Sequence, residues 1–363
     1  MERVPSPELN HGRGATRNRT PTRFNLKARL ADGDWLDDRE GVDGEAPPLR
    51  TTVTTEFPKS IVSFNQSPDL PFDRSINAYR GCEHGCIYCF ARPTHAYHDL
   101  SPGQDFESKL FAKPDSAKLL RQTLAKRGYK PAPIALGTNT DPYQPIEARY
   151  RITRSILEVM LETRHPVVIT TKSSRVVEDI DLIRSLAELE LTAVAISITS
   201  LDPKTARLME PRASTPPRRL AAVRALSQAG IRTHVNIAPI IPAITDHEIE
   251  ALVAAAAEAG AQSVSWIPLR LPHELAPLFR EWLAEHFPDR ASKVINIVRS
   301  IRGGDRDNDP DYFTRMRGQG AWADLIRMRM SIAMRKAGLE RSKWGVRTDL
   351  FRPPALDGQM MLF

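Results

Sequence analysis

From about residue 57 onward the chain alternates short β-rich runs with amphipathic stretches. Runs at 76–80, 133–137, 167–171, 192–199, 233–240 and 263–269 predict strands, and the intervening stretches 115–127, 153–164, 176–189, 217–229 and 246–259 predict helices. Ile156, Leu157, Met160 and Leu161 fall at helical spacing, and Pro166 stops that helix before the next strand. The fourth strand, Ala193-Val194-Ala195-Ile196-Ser197-Ile198, is almost continuously apolar, as a strand covered on both faces requires. Six successive βα units imply parallel strands, right-handed crossovers and an α/β barrel or partial barrel. Functional groups are then expected at the C-terminal strand ends. No repeat is visible beyond that alternation. After about Phe287 the texture changes: residues 299–352 carry 13 Lys/Arg against 7 Asp/Glu, with a helical stretch at 321–337, and read as a basic helical extension.

Charge then qualifies the ends. Residues 1–30 carry a net +5 and residues 31–50 a net −5, without an apolar period, so residues 1–56 read as a disordered, solvated tail with order starting near Phe57. The formal charge of +7 and a pI near 9.4 are compatible with an anionic partner such as nucleic acid. No apolar stretch reaches the roughly 18 residues of a membrane span, and the first residues lack the apolar core of a secretory signal. Three cysteines are too few to staple a secreted scaffold. A reducing cytoplasm is the expected location.

All three cysteines lie in Arg80-Gly81-Cys82-Glu83-His84-Gly85-Cys86-Ile87-Tyr88-Cys89-Phe90, spaced C-x3-C-x2-C directly after the first predicted strand. Three thiolates in one short loop can converge on one metal centre, and soft sulfur favours zinc or iron–sulfur. Gly81 and Gly85 let such a loop curl. A zinc site needs a fourth ligand, which His84, His95 or His98 can supply; that reading makes the chain a zinc-stabilised nucleic-acid-binding module without redox chemistry. An iron–sulfur cluster on three thiolates leaves one iron without a protein ligand. Simple burial of the thiols is the third reading, though a polar, glycine-containing loop suits it poorly.

The C-x3-C-x-aromatic-C pattern after the first strand of a βα series resembles the radical S-adenosylmethionine (radical SAM) superfamily. The likeness covers roughly residues 57–285 and implies a partial (β/α)6 barrel, with residues 286–363 as the basic helical extension and C-terminal tail. It implies a [4Fe–4S] cluster on Cys82, Cys86 and Cys89 with Tyr88 as the aromatic neighbour. S-adenosylmethionine would bind the open iron and be cleaved reductively to a 5′-deoxyadenosyl radical that abstracts hydrogen. An electron donor such as flavodoxin or ferredoxin would supply the electron. Arg80-Gly81-Cys82, Tyr88-Cys89-Phe90-Ala91-Arg92, the run from Gly137 to Pro145 and Thr170-Thr171-Lys172-Ser173 look like the spore-photoproduct-lyase-like, or "DNA repair photolyase", branch.

The resemblance also assigns roles to other strand ends. Thr138 and Asn139 would meet the methionyl amino group and Lys172 the cofactor carboxylate; Ser197 and Thr199 would meet the ribose hydroxyls, and Asn236 would lie near adenine. Asn139 and Asp141 are also ordinary turn residues before Pro142, and Ser197, Thr199 and Asn236 can equally be satisfied barrel hydroxyls and packing. His84 can tune the cluster through a hydrogen bond or be a solvated loop residue. Glu210 and Arg212 can shape a substrate mouth or form a surface ion pair. Spore photoproduct lyase uses a cysteine beyond its cluster ligands as a hydrogen-atom donor. This sequence has none to spare, which leaves Tyr143 as a phenolic candidate. The terminal Gln359-Met360-Met361-Leu362-Phe363 resembles the peptide that docks bacterial repair proteins on the DNA sliding clamp, through Gln359, Leu362 and Phe363; the alternative is that it folds back on the barrel.

Overall fold

The computed structural model describes residues 12–21, 49–339 and 345–355. Among these, the strands are β1 (Thr52–Thr55), β2 (Val62–Phe64), β3 (Arg74–Ile76), β4 (Tyr79–Arg80), β5 (Lys109–Ala112), β6 (Ile134–Leu136), β7 (Val167–Thr171), β8 (Thr192–Ser197), β9 (Thr233–Ile240) and β10 (Ser263–Pro268). β3, β6, β7, β8, β9 and β10 lie side by side in that order and pair in parallel. β2 adds antiparallel to β3 at one edge, and β10 forms the other. These two edges are unpaired with each other, so the six parallel strands make a partial barrel, as the alternating pattern predicts.

Helices Ile152–Glu162, Ile180–Glu188, Pro216–Gln228 and Ile249–Glu258 follow β6, β7, β8 and β9. Each sends its apolar face into one core: Ile156, Leu157 and Met160 from the first, Ile183 and Leu186 from the second. β8 is buried along its whole length, which explains its unbroken apolar run. Beyond β10, Leu275–His286 and Pro288–Ser300 pack around Trp282 in a second core that also contains Cys86, Ile87 and Tyr88. The C-terminal part therefore buttresses the cysteine loop. Gly320–Lys336 lies against Ile249–Glu258 through Ile326, Met330 and Ala333. No described helix is long and apolar enough to cross a membrane.

Two expectations change. The predicted strand at 76–80 divides: β3 stops at Ile76, and Tyr79–Arg80 pairs antiparallel with β5 in a second sheet ordered β1-β5-β4. The chain departs at residues 77–78 because Lys113 captures their carbonyls, its Nζ donating to Asn77 O at 3.0 Å and its backbone N–H to Ala78 O at 3.1 Å. Nor is 1–56 a wholly solvated tail. β1 lies within it, and residues 12–21 pack on the cysteine loop, whereas Phe57 is exposed. The arm is polar because its partners, the Glu107 carboxylate and carbonyl among them, are polar.

The entry to the cysteine loop is held by Tyr79, whose buried hydroxyl donates to Glu147. Burial raises the Glu147 carboxyl from 4.5 to about 7, against the hydrogen bonds from Tyr79 and from the Arg154 and Thr153 amides that lower it. Between about pH 4.5 and 7 the folded chain thus keeps a proton that the unfolded chain has released, so this group's contribution falls as pH rises through that window. The stability of the wild type relative to Glu147→Gln is expected to decline by about 2 kcal/mol from pH 4.5 to 7. Denaturant titrations of both proteins across that range check it; parallel curves would refute the assignment.

Candidate functional site

The cysteine loop leaves the C-terminal side of β3 and is fixed from three directions. Cys82 N–H donates to Phe106 O at 2.9 Å, Ile87 N–H to Met209 O at 3.0 Å and Glu83 N–H to Gln144 Oε1 at 2.9 Å. Fully buried Arg92 then gathers the loop's carbonyls, donating to Cys86 O at 2.8 Å and Gly85 O at 3.0 Å, and to Pro102 O and Gly103 O behind them. Its charge is met by Glu107, also fully buried, at 2.5 Å. Glu107 in turn accepts the Gly14 and Ala15 amides, each at 2.8 Å, so the N-terminal arm and the loop share one carboxylate. A Cβ on Gly14 would meet Gly85 O at 1.7 Å, so only glycine lets the arm lie this close.

All three thiols are free. Cys82 and Cys86 are buried and Cys89 half-buried. Of the histidines considered for a zinc site, His84 and His95 have polar partners, whereas the Nε2 of His98 is buried without one. His84 Nδ1 pairs with Asp141 Oδ2 at 3.3 Å, His95 Nε2 lies 2.9 Å from Lys109 O, and His98 packs on Phe111 at 4.6 Å. Among the described residues, no three His, Cys, Asp or Glu side chains form a group that could hold a metal ion. A single zinc demands all four donors within one coordination sphere, whereas a cluster asks of each sulfur only that it reach its own iron. Three thiols in one loop are the donor set that a cluster with one open iron uses.

The strand ends bring some of the expected groups together. Lys172, after β7, holds its Nζ 5.7 Å above the Tyr88 ring, and its charge acts on the Cys86 thiol. Its position is set by Asp141, which accepts the Lys172 amide at 2.7 Å and the Thr171 hydroxyl at 2.6 Å. Burial pushes the Asp141 carboxyl up, but His84, the Thr171 hydroxyl and the Lys172 amide outweigh it and hold the pKa at about 2. Asp141 thus ties β6, β7 and His84 as a fixed anion; neither it nor His84 is a solvated loop residue.

Tyr88 and Thr199 meet at 3.1 Å, and both donate to Glu210, which is salt-bridged to buried Arg219. Arg219 also donates to Ser197 O at 2.9 Å. Glu210 is therefore the hub of a buried network, not a surface partner of Arg212, which pairs with Glu83 at 3.0 Å. Thr138 Oγ1 and the Asn139 amide both donate to Asn77 Oδ1, at 3.2 and 2.9 Å. Asn236 accepts from Ser265 on β10 at 2.6 Å. Tyr143 is not brought to the loop mouth: it is 2% exposed in the barrel core, with its hydroxyl donating to Asp179 at 3.1 Å, and a buried phenol committed to a carboxylate does not face a substrate. Gln359, Leu362 and Phe363 lie outside the described residues.

The family model of the Radical SAM superfamily matches residues 76–256. The chain belongs to the radical SAM superfamily. It is 38% identical over 232 residues to an uncharacterized protein of Mycobacterium tuberculosis, covering 63% of this chain and 68% of that one. An uncharacterized protein of Methanocaldococcus jannaschii is 29% identical over 173 residues, 48% of this chain and 62% of that one. The fold is similar to that of spore photoproduct lyase complexed with dinucleoside spore photoproduct, with a TM-score of 0.57 and 15% identity over 78% of this chain and 79% of that one.

As a radical SAM enzyme the chain uses a [4Fe–4S] cluster and S-adenosylmethionine. Three residues that frame the loop escaped the sequence reading. Arg92 carried a signal, since it ends the Tyr88-Cys89-Phe90-Ala91-Arg92 motif; Glu107 and Arg219 carried none, being ordinary charged residues on helices.

Proposed function

We propose that this radical SAM enzyme holds its cluster through Cys82, Cys86 and Cys89 and abstracts hydrogen from a nucleic-acid substrate. The observation that carries the reading is the position of the three free thiols at the C-terminal side of β3, beside the Lys172 ammonium over Tyr88. When bound, the cluster supplies one electron that cleaves S-adenosylmethionine to methionine and a 5′-deoxyadenosyl radical. The chain's own part is positional. Arg92 and Glu107 lock the loop backbone, Asp141 orients the Lys172 backbone, and Lys172 offers a cation to the cofactor carboxylate. Tyr88, Thr199 and Glu210 fix the wall beside it. Thr138, Asn139, Ser197 and Asn236 contribute the remaining polar lining at the ends of β6, β8 and β9. The likeness to a lyase bound to a dinucleoside photoproduct and the formal charge of +7 support a nucleic-acid substrate. A flavodoxin- or ferredoxin-type donor would supply the electron.

The test is chromatographic detection of 5′-deoxyadenosine from anaerobically reconstituted, dithionite-reduced protein given S-adenosylmethionine. Slow formation is expected without substrate and faster formation with ultraviolet-damaged DNA; none in either case would refute the reading. Lys172→Ala is expected to weaken S-adenosylmethionine binding by tenfold or more, about 1.4 kcal/mol, because a half-buried cation is lost. Unchanged affinity by equilibrium dialysis would remove Lys172 from the cofactor site.

A further inference from the structure

Asp69 links the open side of the partial barrel to the segment beyond β10. Asp69, in the hairpin between β2 and β3, accepts from Arg315 Nε at 2.8 Å and Nη2 at 2.6 Å and from the Phe313 amide at 3.2 Å, in the segment beyond β10. The two unpaired edges of the sheet are thereby joined. Three arginines meet here. Arg315 is neutralised by Asp69. Arg302 is buried and donates to Pro268 O, Leu269 O and Arg315 O at 2.7–3.0 Å. Arg270, two residues beyond the end of β10, differs from both. Among the described residues it has no oxygen acceptor, only the Met316 thioether at 3.5 Å, and its Nε, like that of Arg302, is buried without a partner.

A guanidinium has five N–H donors and keeps its charge in any protein environment. Half-buried with a single weak acceptor, Arg270 has further donors that solvent or an anion can complete. Both carboxylate oxygens of Asp69 already serve Arg315. Burial and the like charge of Arg315 act against the Arg270 cation, the carboxylates of Asp69 and Asp309 act for it, and the balance stays against the charge, so an arriving anion would favour it. Arg270 sits at the C-terminal strand edge, the edge that also carries Lys172 and Thr199, and beside the barrel's open side. Planar, forked donors suit the oxygens of a phosphate.

We infer that Arg270 anchors a phosphate group of the substrate at the open side of the barrel. This rests on the proposed nucleic-acid substrate and names the group of it that is gripped. The phosphate can belong to a strand's phosphodiester or to a free nucleotide; the chemistry at Arg270 is the same.

The test uses the full chain and a fluorescein-labelled single-stranded oligothymidylate, with binding read by anisotropy across a salt series. Arg270→Ala is expected to weaken binding at least tenfold and to lower the slope of log Kd against log salt by about 0.7, one phosphate contact on a single strand. Arg270→Lys should retain more affinity than Arg270→Gln, and that pair decides the matter if the alanine variant melts at a lower temperature. Competition by thymidine monophosphate and inorganic phosphate assigns the site to free phosphates, and competition by unlabelled oligonucleotide alone assigns it to the strand. Equal affinity and slope in wild type and Arg270→Ala, or no binding of any of these probes by the wild type, overturns the proposal. The 5′-deoxyadenosine assay on the wild type is read separately. Its failure beside Arg270-dependent binding would sink the radical chemistry and leave the anchor standing.

Discussion

Anaerobic reconstitution of the wild-type chain is expected to give roughly four iron and four sulfide per chain, and the Cys82→Ala/Cys86→Ala/Cys89→Ala protein essentially none. The sequence holds no other cysteine to substitute, and His84 and His95 are held by Asp141 and by the Lys109 carbonyl. Each single alanine variant should therefore lose most of the cluster, not a third of it. The variants should still fold. Cys82 packs beside Ala91 and Phe106, and Cys86 beside the Trp282 core, so each substitution removes one small sulfur from an apolar contact, while Arg92 goes on binding main-chain carbonyls that alanine retains. Metal and sulfide analysis, with the visible absorption spectrum of each protein, distinguishes the outcomes. Equal iron and sulfide in wild type and triple variant would take the cluster away from this loop.

What the sequence makes legible is what is local. The period of Ile156, Leu157 and Met160 declares a helix and its buried face, and Ala193 to Ile198 declare a strand covered on both sides. The cysteine loop is legible because its spacing lies within eight residues, and Lys172 because it directly follows a strand. What escapes is long-range pairing of charges. Gly14 and Glu107 are 93 positions apart, and nothing in a window around either announces the other. An arm rich in arginine and glycine looks solvated by composition, yet its amides and Arg13 find buried or half-buried acceptors: Glu107 for Gly14 and Ala15, and Glu107 O and Leu49 O for Arg13. The surface-pair alternative for Glu210 fails for the same reason: its neighbour Arg212 is nearer in sequence than Arg219, which one helix brings to it. Tyr143 was misread from the opposite side. It follows a turn at the site, but the chain has by then turned its side chain into the core.

Glu107→Ala is expected to destabilise the apoprotein by about 3–5 kcal/mol, the usual cost of removing one partner from a buried ion pair. The size follows from what is left behind. Arg92 keeps its carbonyl partners but loses its only carboxylate contact while remaining without solvent, and the Gly14 and Ala15 amides lose their acceptors. These losses share one network and do not simply add, so the figure stays near that of the pair itself. Glu107→Gln should cost less, about 1–3 kcal/mol, because one carbonyl oxygen survives while the new NH2 opposes a backbone donor. Arg92→Ala combined with Glu107→Ala should cost less than the two single losses together, since no unpaired charge remains buried. The arm reports the same event independently. With the Gly14 and Ala15 amides released from the Glu107 carboxylate, the arm is left to the main-chain carbonyls that bind Arg13 and to the Glu281 pairs of Arg17 and Arg19, and tryptic cleavage at these arginines should accelerate well before the barrel is cut. Guanidinium unfolding of the apoproteins and timed proteolysis measure the two effects. A change within about 0.5 kcal/mol, with the arm cut no faster than in the wild type, would mean that Glu107 neither balances Arg92 nor fastens the arm to the cysteine loop.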